Sequence, residues 1–347
     1  MLAALAALFL VGAAEAPPPV AVNALLAETP APSLDAYRLF VDAGGRKPNA
    51  GVVPYTLNTP LFSDYAEKQR FVFLPPGKSV RYAAEGAFDF PVGTALVKTF
   101  AYPADFRRPD ENIRFLETRL LVRKKAGWMA SAYVWNADQT KAVLKRAGTR
   151  LDVSFVDGQG QRREVDYAVP NQNQCKECHS VAKVLKPLGP KARNLNGDFA
   201  YADGRENQLA RWRKLGLLTG APEPAAAPRT AVWDDAREPL EARARAYLDA
   251  NCGHCHNPKG MASNSGLNLN AEETRMSALG VGKRPVAAGR GSGGLEVSIA
   301  PGHPEQSILV HRMASNEPGV MMPELGRNLR HEEGLKLIRD YVANLKP

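Results

Sequence analysis

The sequence predicts an α+β chain of more than one domain, an antiparallel β-rich N-terminal domain followed by an all-α C-terminal one. Three observations lead there. From residue 50 to 170, short runs rich in Val, Phe, Tyr and Trp alternate with turn signals containing Gly, Pro and Asp, the pattern of an antiparallel sandwich or barrel. Near the C-terminus, residues 238–251 and 331–345 carry apolar side chains at helical spacing. Residues 219–231 (TGAPEPAAAPRTA) form a Pro/Ala stretch between the two regions, which reads as a linker. At 347 residues and 44% hydrophobic, the chain is long enough to bury a sizeable core and to divide into domains.

Taken in order, residues 2–14 (LAALAALFLVGAA) are an apolar run too short to cross a bilayer and suited to the h-region of a signal peptide. Ala14-Glu15-Ala16 offers a small-x-small cleavage site, so 1–16 is expected to be a signal peptide directing export to the periplasm. No Lys or Arg precedes the run. No second apolar run approaches 18 residues, so the mature chain is expected to lack a transmembrane anchor. Residues 17–33 (PPPVAVNALLAETPAPS) read as a linker, and 33–40 as a short helix capped by Ser33.

The β-rich domain is placed at 34–170. Its strands are expected at 68–74 (KQRFVFL, closed by Pro75-Pro76-Gly77) and at 95–102 (ALVKTFAY). A hairpin of 114–123 and 130–135 turns at Ala126-Gly127-Trp128, and another pairs 151–155 with 164–169 about Asp157-Gly158-Gln159-Gly160. Later elements are helices at 207–218, 238–251, 306–313 and 331–345.

All four cysteines fall in two CxxCH segments, Cys175-Lys176-Glu177-Cys178-His179 and Cys252-Gly253-His254-Cys255-His256. CxxCH is the attachment signature of a c-type haem. On a helical turn, positions i, i+3 and i+4 share a face. Two thiols can then meet the two vinyl groups of one porphyrin while the histidine comes under the iron. A CxxC alone could instead be half a zinc site, a redox dithiol or a disulfide. With six histidines in 347 residues, a His directly after a CxxC arises by chance roughly 2% of the time, and two such coincidences are far rarer. The expectation is two covalently attached c-type haems, with Cys175, Cys178, Cys252 and Cys255 as thioether positions and His179 and His256 as axial ligands. Residues 171–218 then form a first haem-binding segment packed on the β domain, and 232–347 a domain holding the second haem.

In the last 115 residues, an opening helix delivers CxxCH, a loop region follows and a helix closes the chain. This resembles the class I cytochrome c fold, so the C-terminal part is expected to be an all-α class I cytochrome c-like domain. That family usually supplies a methionine to the far side of the iron from a loop before the last helix. Met321-Met322-Pro323 lies in that place, and the resemblance implies Met322 as ligand, because Met-Pro is how the loop looks in many relatives. Neighbouring extended residues face opposite ways, so only one of the pair can ligate. For the first haem, Met129, His303, His311, His331 and the lysines after the motif are open candidates. His254 reads as a spacer. Over most of 50–345, the chain resembles exported bacterial dihaem c-type cytochromes with a β-rich N-terminal half. The resemblance rests on 55–65 (YTLNTPLFSDY), Tyr133-Val134-Trp135-Asn136 with Asp138-Gln139-Thr140, 173–179 (NQCKECH), and Asn207-Gln208-Leu209 with Trp212.

Net charge is +9, with no Lys/Arg block of more than a few residues, which argues against nucleic-acid binding. It is either a solvated basic surface or a field steering an acidic redox partner. The function expected is electron carriage, in preference to an enzyme. The alternative is a dihaem peroxidase-like enzyme using the first haem as an open site, although in such enzymes the two motifs sit much further apart than here.

Overall fold

A six-stranded antiparallel sheet, in the order β1-β2-β4-β5-β6-β7, organises the N-terminal half. Its strands are β1 (Val52–Tyr55), β2 (Glu67–Phe73), β4 (Ala95–Tyr102), β5 (Arg114–Lys124), β6 (Gly127–Trp135) and β7 (Ala142–Leu144). A two-residue strand, β3 (Val80–Arg81), instead pairs in parallel with Leu218–Thr219, and β8 (Thr149–Val156) with β9 (Arg162–Val169) makes a separate hairpin. The computed structural model describes residues 16–181, 184–286 and 288–346. The signal-peptide expectation falls almost wholly outside the described residues.

The sheet is covered on both faces. On one, Phe71, Phe73, Val97, Leu120, Val122 and Trp135 form a core with Tyr37 and Leu39. Val20 and Leu25 join it, Leu25 from α1 (Val22–Leu26), so the stretch expected to be a linker packs against the sheet. On the other face, Val72 and Leu96 meet Trp212, Leu209 and Leu195 at one end. Phe100 and Val134 meet Phe155, Val165 and Tyr167 of the β8–β9 hairpin at the other.

The chain then runs through α2 (Gln172–His179), α3 (Ala192–Leu195) and α4 (Gln208–Lys214), where the Asn207 side chain accepts from Leu209 N at 2.9 Å and caps α4. After residue 231 come α5 (Leu240–Leu248), α6 (Met276–Leu279), α7 (Ile308–Ala314) and α8 (Glu332–Asn344). Residues 33–40 form a 3-10 turn, Leu34–Tyr37, rather than an α-helix.

The expected fold class needs correction. Among the described residues the structure is β-rich, 24% helical with eight short helices, and shows no all-α class I cytochrome c-like domain. Helix periodicity at both ends of 232–347 does not extend between them. Glycines at 266, 280, 282, 289, 293, 294 and 302 all take positive φ, a conformation that ends α-helices. This stretch is mostly turns and 3-10 segments, with α6 only four residues long. α5 and α8 do pack on each other, through Ala244, Tyr247 and Leu248 against Leu335, Ile338 and Val342.

The two halves are tied by the segment between β1 and β2. Thr59 Oγ1 donates to the Ala231 carbonyl (2.6 Å), and Phe62 N donates to Asn251 Oδ1 (2.8 Å). The Asp64 carboxylate accepts from the amides of Asn328 (2.6 Å) and Leu329 (2.7 Å). His331 stacks on Phe62 with ring centroids 4.2 Å apart.

Candidate functional site

The two CxxCH segments reach one cavity of about 450 Å³ between the sheet and the C-terminal half. Cys175, Cys178 and His179 line it from one side, Cys252 and His254 from the other, and Met321, Met322, Met313 and His331 add to its wall. Its size is in the range of ligand-binding cavities.

The first motif sits on α2 as the spacing predicts. Asn171 caps that helix, its Oδ1 accepting from the amides of Asn173 and Gln174, both at 2.9 Å. The second motif is built differently. α5 passes into a π-turn over Asp249–Gly253, and the His256 amide donates back to the Cys252 carbonyl at 2.9 Å. Such π-turns are rare and concentrate at functional sites. The turn is held by Asp249, which is buried. Its carboxylate accepts both Arg193 Nη2 contacts (3.0 Å each), Lys191 Nζ (3.4 Å) and the Ala271 amide (3.1 Å).

Each motif histidine is fixed in one tautomer. His179 Nδ1 lies 3.2 Å from the Lys186 carbonyl, which can only accept, so Nδ1 carries the proton. His256 Nδ1 lies 2.9 Å from Ser265 Oγ, whose own proton goes to the Ala262 carbonyl at 2.7 Å. Ser265 therefore accepts, and His256 is also protonated at Nδ1. Among the described residues neither Nε2 has a hydrogen-bond partner, the arrangement that orients metal-ligating histidines. Burial lowers the pKa of His179 to about 3, with Lys98 adding to the effect, and that of His256 to about 4, with Arg312 adding. Both rings are neutral, as ligation requires.

Burial also pushes the Cys252 thiol up to about 12, and raises that of Cys175. A redox dithiol needs the opposite shift. Among the described residues, no three His, Cys, Asp or Glu side chains gather into a metal-holding cluster. The donor set is thus two thiols and a pinned imidazole at each of two places, which fits covalently held haem. Cys255 and His256 are not part of the cavity lining.

Met321 and Met322 both line the cavity. The loop carrying them is held by Arg327, a buried guanidinium that donates to the carbonyls of Met322 (3.0 Å), Ser315 (2.8 Å) and Leu329 (3.3 Å) and to Asn316 Oδ1 (3.1 Å). Residues named for the first site separate clearly. Met129 pairs with Val122 on the sheet face that packs on Tyr37 and Leu39, whereas its neighbour Ala130 lines the cavity. Strand alternation turns Met129 away. His303 sits beside Glu305 (3.4 Å), exposed, and His311 is also outside the lining. His331 lines the cavity, but its Nδ1 shares a 2.9 Å hydrogen bond with Tyr247 Oη.

His254, expected to be a spacer, faces the cavity, and its Nδ1 is buried with no hydrogen-bond partner among the described residues. Burial lowers its pKa to about 4, with Lys191 adding. Its place inside CxxCH gave no signal of this, because the x positions of the motif carry no required chemistry. Arg327 and Asp249 were equally invisible in the sequence.

No protein-family model, curated protein or solved structure matches this chain. Among the described residues no helix is long and apolar enough to cross a membrane.

Proposed function

We propose that this chain is an exported dihaem c-type cytochrome that carries electrons in the periplasm. Cys175 and Cys178 would hold one haem with His179 as axial ligand, and Cys252 and Cys255 the other with His256. The observation that carries this reading is the matched pair of pinned imidazoles, each directly after a CxxC and each with Nδ1 engaged and Nε2 bare. When bound, the haems supply one-electron redox chemistry through iron.

The chain's own residues orient, bury and select. Lys186 and Ser265 set the two ring orientations. Arg327 fixes the backbone of Met322, whose thioether is proposed as the distal ligand of the second haem and would favour a higher potential than a second imidazole. His254, whose buried Nδ1 has no hydrogen-bond partner among the described residues, would be available as a further ligand of the first haem, whereas Tyr247 engages His331. The positive surface charge would steer an acidic redox partner.

Mass spectrometry and the pyridine haemochrome spectrum should report two covalent haems per chain; a chain with none sinks the proposal. EPR and resonance Raman of the ferric protein should show both irons six-coordinate and low-spin. The Met322→Ala variant should lose the thioether-to-iron charge-transfer band. A high-spin first haem that turns over hydrogen peroxide with a reduced dye would move the assignment to a peroxidase-like enzyme.

A further inference from the structure

On the sheet face that lines the cavity, three cations stand in a single cross-strand row. Arg70 on β2 is the register partner of Lys98 on β4, and Lys98 is the partner of Arg119 on β5. Partners on neighbouring strands project on the same side, about 5 Å apart, and like charges there repel. Lys68 lies one pleat along, on the same face. Lys68 Nζ, Lys98 Nζ and Arg119 Cζ approach the Phe100 ring to 5.8, 5.0 and 4.2 Å of its centroid. All four cations line the cavity that Cys175 and Cys178 also line.

The counter-charge does not match. Glu117 is bound to Arg119 at 2.5 and 2.9 Å and also accepts from Tyr167 Oη at 2.7 Å. The Asp64 carboxylate is taken by two backbone amides. Lys68 donates to the Ala66 carbonyl (2.9 Å) and Arg70 to the Lys68 carbonyl (3.1 Å), contacts that carry no charge. Among the described residues, no carboxylate forms an ion pair with Lys68, Arg70 or Lys98. Arg70 is buried and Lys68 and Lys98 are half-buried, and cations drawn out of water without a counter-charge are costly. A sheet that aligns three of them against a cavity is built to meet an anion there.

We propose that Lys68, Arg70 and Lys98, with Arg119 beside them, form an anion site on the cavity wall that takes a carboxylate-bearing group. Two sources have that chemistry. One is the propionate pair of the haem at Cys175 and Cys178, a source that rests on the function proposed above. The other is a free small dicarboxylate. A planar guanidinium and two ammonium groups on a rigid sheet suit paired carboxylates, which accept charge-assisted hydrogen bonds.

The test uses the full-length protein as purified, with its covalent haem counted by mass, and the variants Lys98→Met and Arg70→Met. Lys98→Gln replaces any variant that fails to fold by circular dichroism. If propionates fill the site, their resonance Raman bending bands shift in both variants, haem content stays unchanged, and succinate does not bind the wild type in low-salt calorimetry. If a free carboxylate fills it, succinate binds the wild type and Lys98→Met weakens it roughly tenfold or more, with the Raman bands unmoved. Either result supports the anion site. Unmoved bands together with no succinate binding overturn it. A protein without covalent haem defeats the function proposed above, and the succinate arm then decides the anion site alone.

Discussion

Asp249 is the residue whose replacement tests the site's construction most directly. It stands where α5 gives way to the π-turn carrying Cys252, and its partner Arg193 comes from α3, in the segment that follows the first motif. Both side chains are nearly out of water, at 3% and 9% exposure. In Asp249→Asn the amide keeps the shape but leaves the buried Arg193 charge with only the more exposed Glu272 carboxylate, on Nη1. Breaking such a pair outright costs about 3–5 kcal/mol, which is the ceiling here because Glu272 stays on Arg193. Over a chain of 347 residues, at about 2.1 cal/mol/K of unfolding entropy per residue, that is a drop in Tm of roughly 4–7 °C. The sign with pH follows from the shift. Burial pushes the Asp249 pKa up, but Lys191 and Arg193 more than offset it and hold the carboxyl below its ordinary value. Its stabilisation is therefore complete above about pH 4 and fades as pH falls through the depressed folded value. Calorimetric unfolding of both proteins should show the gap at pH 7 narrowing towards pH 3. A loss below about 1 kcal/mol, or a gap unchanged at pH 3, would refute the buried-pair account.

Other predictions follow from the same geometry. Arg327→Lys keeps the charge but cannot reach carbonyls on several sides at once, so about 1–3 kcal/mol of stability should go. If Met322 is a haem ligand as proposed, the thioether-to-iron band should weaken with it; an unaltered band would separate Arg327 from Met322. In Gly334→Ala on α8, the new Cβ would meet the Tyr247 ring of α5. Helix propensity alone favours Ala by about 1 kcal/mol, whereas overpacking should make the variant less stable by about 1–3 kcal/mol in urea titrations. A stabilised variant would show that α5 and α8 are not in the contact described. If the net charge of +9 steers an acidic partner, stopped-flow reduction rates should fall as salt rises; a flat profile removes steering.

Much of the local structure was legible in the chain. The strand at 68–74 appears as β2, and the turn at Ala126-Gly127-Trp128 joins β5 to β6. The helices at both ends of the C-terminal region appear as α5 and α8. These are short-range matters, settled by alternation, turn residues and helical spacing. The CxxCH spacing also set the expectation of haem attachment, on which the proposed function rests, without any knowledge of the fold.

What the chain folds into over long range was not legible. Amphipathic helices at 238–251 and 331–345 suggested an all-α domain, but periodicity at two ends says nothing about the glycine-rich path between them. By residue type Met129 could be a ligand or, as the sequence favoured, a plain packing methionine, and the pairing of β5 with β6 sets it opposite Val122, on the face away from the cavity. Arg70, Lys98 and Arg119 lie at the polar positions of alternating strands, where polarity ordinarily means solvent. Only strand register set them side by side, and only the C-terminal half closed a cavity over them. Spacing along a strand decides which face a side chain takes. Which charges share that face, and whether water or protein covers it, depends on contacts between residues far apart in the chain.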